Sequence, residues 1–503
     1  MRNGDDLHKL IKSLSKAEKR YFKIQTMSNT KKDNNNYILL FDAIDYQNSY
    51  NETKLCRKLR KYPFSNHLSK TKYLLYELIL KTMQQLYLGR TITSEVNSLI
   101  NSIEFLYEKT NYRQAYNMVQ KAKKIANDRE LNQALLQIID WEKKINKYLS
   151  GNPNEQLNLI STYQATADQL NIENQFKCLF EKIEVFYNNT LYFYTGSDQH
   201  PEVQVIMSNL LMKALPDNST FLSKIYFNKT NILIALSDNN YSKALTFLNE
   251  NQLLWMNNPN KKEIYQEEYI HSLTSNFIYS INARQKEVDY ALLLDGLRVL
   301  KPSTQQEADK TSFLISILDF MHSLSFEHLE LAKMRFLDIN ELKLDHFDKL
   351  DITWKMTLKY FTCIFHFLEH NYEETLSCID ELETSPDIKH FSHIQNFIKL
   401  ISLVTKFEQE KFDQLEYDIR KTYRYLKRCG RLGAIEQTIL SSTKDLINAP
   451  NRSEVNGIFS ELQDSLKNLE RNNYPIHVVG GAGALYRWIN EKLPDDCRNR
   501  TVN

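Results

Sequence analysis

The sequence predicts an all-α chain: an α-solenoid of about eight or nine helix-turn-helix repeats behind a basic helical N-terminal part. Three observations predict it. With only 11 Gly and 10 Pro in 503 residues, there is little material for tight β-turns. An apolar pattern recurs eight times between Tyr112 and Phe412 at steps of 42, 46, 41, 47, 41, 43 and 40 residues. Charge is also segregated: residues 1–90 hold 18 Lys plus Arg against 8 Asp plus Glu, whereas the remainder is net acidic.

The N-terminal segment, residues 1–91, begins with the helical pattern Leu7, Leu10, Ile11, Leu14. A restart follows at Ser15, where Ser15 and Glu18 have the spacing of a capping box and Tyr21, Phe22 and Ile24 form the expected apolar side. The polar stretch Asn29 to Asn36 reads as a loop. Helices are expected over 37–47, 53–61 and 69–89.

The repeats span 92–470. Asn111-Tyr112 with Ala115, Asn240-Tyr241 with Ala244, and Asn371-Tyr372 with Thr375 carry the pattern most clearly. Looser copies are anchored at Asn154, His200, Val288, Leu329 and Phe412. Nine and five residues before each anchor lie mostly apolar residues, such as Ile103 and Tyr107, Phe320 and Leu324, Leu403 and Phe407. A spacing of four puts both on one face of a helix preceding the anchor. Apolar residues three and seven positions after the anchor, such as Leu415 and Ile419, share a face of the following helix. Each unit is therefore helix, short polar turn, helix, with a small residue permitting close approach. Residues 471–503 read as a glycine-containing turn at Gly480 to Gly483 and a capping helix near 484–493.

The aromatic-x-x-Ala signature at Tyr112/Ala115 and Tyr241/Ala244, continued by Val119 and Ala122, resembles the tetratricopeptide repeat and its longer relatives. The period exceeds the usual ~34 residues, and the Trp, Gly and Pro of the consensus are absent. The whole chain is similar to uncharacterised bacterial cytoplasmic helical-repeat proteins, a resemblance that implies stacked helix pairs and no particular activity.

Several chemical motifs are weighed against structural readings. His366-Phe-Leu-Glu369-His370 matches a zinc-binding H-x-x-E-H pattern, with Cys363 one turn earlier. The repeat frame explains these residues better, because Cys363 fills an apolar slot and His370 falls in the inter-helix turn. Gly480-Gly-Ala-Gly483 has no following Lys-Ser/Thr and no βαβ setting, so a turn is favoured over a phosphate cradle. No metal, cofactor or catalytic set is expected. Six scattered cysteines without C-x-x-C, no apolar leader and no long apolar run suit a cytoplasmic chain with free thiols and no membrane contact.

The candidate site is cationic. Lys16, Lys19, Arg20 and Lys23 line the helix starting at Ser15, and Lys54, Arg57, Lys58, Arg60 and Lys61 crowd a short helix whose Leu55 and Leu59 face inward. Both sets suit contact with an anionic partner. The expected function is a non-enzymatic protein–protein interaction scaffold using a concave solenoid surface. The alternative is a DNA-binding regulator, with a helix-turn-helix at the N-terminus and sensing repeats.

Overall fold

The structure, a computed structural model, describes residues 5–28, 36–89, 91–189, 201–217, 219–238, 240–282, 290–300, 305–325, 328–471 and 481–493. Among the described residues the chain is all-helical, without strands. None of these helices is long and apolar enough to cross a membrane. The contacts divide the chain into two compact units, Met1–Tyr163 and Gln164–Asn503.

The first unit opens with α1 (Asp5–Ser13), α2 (Lys16–Ser28), α3 (Asn36–Asp45), α4 (Glu52–Leu59) and α5 (Leu68–Tyr87). The capping box is formed reciprocally at the start of α2. The Ser15 N–H donates to Glu18 Oε2 at 2.6 Å, and the Glu18 N–H donates to Ser15 Oγ at 3.3 Å. Leu7, Ile11, Phe22, Phe41, Leu55, Leu59, Leu75 and Ile79 make a core private to these five helices. Ile24 departs from expectation: it is 52% exposed, because Phe22 takes the inward position and residues two apart lie on different helix faces. Asn36 belongs to α3 rather than to the expected loop, the rest of which lies outside the described residues.

A second core follows in α6 (Ile92–Glu108), α7 (Tyr112–Asp128), α8 (Asn132–Leu149) and the start of α9 (Pro153–Asn189). Ile103, Ala115, Val119 and Ala122 are fully buried there, as the repeat frame requires. The Asn154 copy is out of register. Leu149 and Leu157 are exposed while Leu159 is buried, because the chain enters α9 through Gly151 (φ +59°) with Pro153 as its first residue.

The second unit begins inside α9. The repeat period places a helix break between the Asn154 and His200 copies, yet α9 runs 37 residues without interruption. His200 itself, Leu191 and Thr195 lie outside the described residues, as do Ala283 and Val288 of a later copy. Beyond α9 come α10 (Pro201–Ser208), α11 (Leu210–Lys213), α12 (Phe221–Ser237), α13 (Tyr241–Asn257), α14 (Pro259–Ile264), α15 (Gln266–Asn282) and α16 (Tyr290–Arg298). Paired helices then continue as α17 (Gln305–Ser325), α18 (Leu329–His346), α19 (Ile352–Leu368), α20 (Tyr372–Thr384), α21 (Ser392–Glu408), α22 (Phe412–Arg428), α23 (Ala434–Asn448) and α24 (Arg452–Arg471). Sequential helices pack on each other, and alternate ones also touch: α17 with α19, α19 with α21, and α21 with α23.

Five anchors, Tyr112, Tyr241, Leu329, Tyr372 and Phe412, are each the first residue of the second helix of a pair. The turn before them is one device repeated. The N–H preceding the anchor reaches back five residues, Asn111 to Leu106 O at 2.9 Å, Asn371 to His366 O at 2.9 Å, and Lys411 to Lys406 O at 3.0 Å. The intervening Thr110, His370 and Glu410 have φ of 61°, 58° and 56°. This is a Schellman cap closed by residues other than glycine.

The last helix, α25 (Gly481–Lys492), already contains Gly481 and Gly483, so these two are helical rather than a turn; Gly480 is outside the described residues. It packs on α24 and on α19 and α21. Trp488 lies between Phe407 and Phe459, and Glu408 accepts from Trp488 Nε1 at 2.8 Å and Lys492 Nζ at 2.6 Å.

Candidate functional site

Local folding separates the two cationic helices. Stacking of Phe22 on Phe41, with ring centroids 4.9 Å apart, turns one side of α2 toward α3. Lys19 then pairs with Asp45 at 2.7 Å and Lys23 with Asp42 at 2.6 Å, while Lys12 donates to the Asp45 carbonyl at 2.6 Å. Of the four cations expected to face a partner on α2, only Lys16 and Arg20 are exposed. Lys19 and Lys23 instead tie α2 to α3. A recognition helix in a DNA groove would need these charges outward.

Helix α4 keeps its charges. Asn51 caps it, its side chain accepting the Lys54 N–H at 2.9 Å. Buried Leu55 and Leu59 fix its rotation, so Lys54, Arg57, Lys58 and Lys61 all point to solvent. Their spacing of three and four gathers Lys54, Arg57 and Lys58 on one side, and Lys61 follows in the turn after the helix. None has an acidic partner among the described residues. Lys58 lies 4.7 Å over the exposed Tyr46 ring, and Lys61 lies 5.2 Å over Tyr62. Arg57 and Lys58 also favour the carbonyl end of α4, so part of their role is local.

The H-x-x-E-H residues disperse. Helix α19 ends at Leu368, and His370 adopts a left-handed conformation at φ 58°. The i, i+4 geometry needed for two imidazoles on one metal is therefore lost. His370 Nδ1 is 3.0 Å from Tyr372 Oη, Glu369 faces Lys333 at 3.3 Å, and His366 packs edge-on to Phe336. Cys363 is fully buried, and burial pushes its thiol well above the ordinary range. Among the described residues no group of three potential metal ligands assembles.

A polar network without a sequence signature lies in the second unit. Lys229 of α12 is fully buried, its Nζ 2.9 Å from His271 Nδ1 and 3.7 Å from Glu268 Oε2, both on α15. Glu184 of α9 faces His271 Nε2 at 3.3 Å, and Tyr226 donates to Glu268 at 2.6 Å. Burial lowers the Lys229 pKa to about 8, against the opposing pull of Glu268 and Glu184. With Lys229 at 0% exposure no solute reaches its amine, so the cluster is an ionic cross-link between three helices. Its members come from three distant stretches of sequence, which is why no motif announces it.

Comparison with protein-family models, curated proteins and solved structures finds no match.

Proposed function

We propose that the chain is a non-enzymatic binding protein, a tetratricopeptide-like α-solenoid in which the first helices of successive units line a concave surface for protein partners. Its setting in this reading is the cytoplasm, consistent with Cys56, Cys178, Cys363 and Cys429 forming no disulfide among the described residues. The observation that carries the reading is the α4 region: outward Lys54, Arg57 and Lys58 on the helix and Lys61 just beyond it, with no acidic partner among the described residues, which suits an acidic protein surface.

The DNA-binding reading draws on the same charge, but the ion pairs of Lys19 and Lys23 remove half of the cations it needs on α2. The two are separated by titrating the intact protein with duplex DNA at low salt, where non-specific attraction is strongest. The scaffold reading predicts no duplex binding. Duplex binding that weakens steeply with salt and is lost on replacing Lys16 and Arg20 with Gln would favour the alternative.

A further inference from the structure

Between α22 and α23 the second unit leaves a groove of about 660 Å3. That is within the ~300–1,000 Å3 range of pockets that hold organic ligands. Its floor is apolar, from Ile419 and Leu440, and Tyr423 forms part of one wall. Arg420 and Arg424, one helical turn apart on α22, face Lys444 of α23 across the opening. Arg424 and Lys444 are exposed with no acidic partner among the described residues. Arg420 pairs with Glu416, an exposed contact of the kind that costs little to exchange. From Arg420 to Arg428 the helix carries five cations and no acid, and Lys427 sits 5.9 Å over the Tyr423 ring.

We infer that this groove is a docking site for an acidic amphipathic helix of a partner protein. The inference rests on the scaffold reading and gives it a second contact, distinct from α4. An apolar side chain of the partner covers the exposed Tyr423 ring above the buried Ile419 and Leu440, and carboxylates four residues apart meet Arg420 and Arg424. Lys444 meets a third carboxylate from the opposite wall. Glu416 closes one end of the site with a negative charge, which orients the partner's basic end there. Glu416 among the lining residues, beside only three cations, decides against nucleic acid, whose backbone demands a longer unbroken track of positive charge.

The test uses the full-length protein and a fluorescein-labelled helical peptide of ~15 residues with Leu on one face and Glu at i and i+4 beside it. Anisotropy should show saturable binding, weakened at least about tenfold by Arg424→Glu with Lys444→Glu and by Gln in place of the peptide's Glu. A peptide carrying Lys instead of Glu should bind the doubly reversed protein better than it binds the parent. Reversal on α7, Lys121→Glu with Lys124→Glu, exposed cations that belong to neither site, should leave peptide affinity unchanged, whereas a peptide held by α4 would ignore the groove reversal. Both substituted groove residues are exposed, and an unchanged melting curve confirms intact folding. The proposal is overturned by no binding up to about 1 mM peptide, by indifference to the groove reversal, or by a duplex DNA that competes through Arg424 and Lys444.

Discussion

At the scale of the residue, the buried small side chains and one buried carboxyl make the sharpest demands. Ala115 and Ala244 are fully buried three positions into the second helix of their pairs. Replacing either with Glu would bury a charge where two helices approach, costing about 3–5 kcal/mol, seen as a lowered denaturation midpoint. Glu436 of α23 is 1% exposed with its Oε2 lacking a hydrogen-bond partner among the described residues, and burial raises its pKa to about 7. A carboxyl whose folded pKa exceeds its unfolded value favours the fold while protonated. That stability is complete below about pH 4.5 and is lost as pH rises through 7, by on the order of 3 kcal/mol. Glu436→Gln should flatten this part of the stability profile between pH 5 and 8, as urea melts across that range would show. An unchanged profile would place the titration elsewhere. The apolar slots of the clear copies were legible from spacing alone, because a helical face needs nothing beyond local sequence, whereas Leu149 and Leu157 of the Asn154 copy are exposed. The pairing of Lys19 and Lys23 was not, since Asp45 and Asp42 reach them only once α2 folds against α3.

At the scale of the element, helix pairs and the places of their turns were readable, and the geometry of those turns was not. A Schellman cap normally announces itself with glycine, yet Thr110, His370 and Glu410 hold the left-handed position. Such residues lose roughly 1 kcal/mol there relative to glycine, partly offset by the greater freedom of glycine in the unfolded chain. Glu410 is exposed, so Glu410→Gly should stabilise by about 0.5 kcal/mol. Glu410→Val, β-branched at positive φ, should destabilise by more than 1 kcal/mol. Equal denaturation midpoints for the two variants would refute the assigned turn. Helix α9 was misread for a different reason. Its apolar residues fit either one long helix or two, and no Gly or Pro between Pro153 and Asn189 enforces a break.

At the scale of the whole molecule, the segregation of charge is the feature that links sequence to use. The excess of cations in the first 90 residues is partly consumed within the first unit, by the pairs of Lys19, Lys23 and Lys72, and what survives is concentrated on α4. Net charge alone could not distinguish the paired lysines of α2 from the cations around α4, and burial and geometry separate the two sets that the sequence offered together. The helical class needed no such help, because scarcity of Gly and Pro together with the repeat period already specifies it. The most direct measurement is quantitative affinity capture from the native cell with the parent protein and with a Lys54→Glu, Arg57→Glu, Lys58→Glu variant of unchanged melting temperature. The account predicts a stoichiometric acidic protein partner on the parent that is lost from the variant. Retention of the same partner by the variant, or capture of nucleic acid in its place, would contradict it.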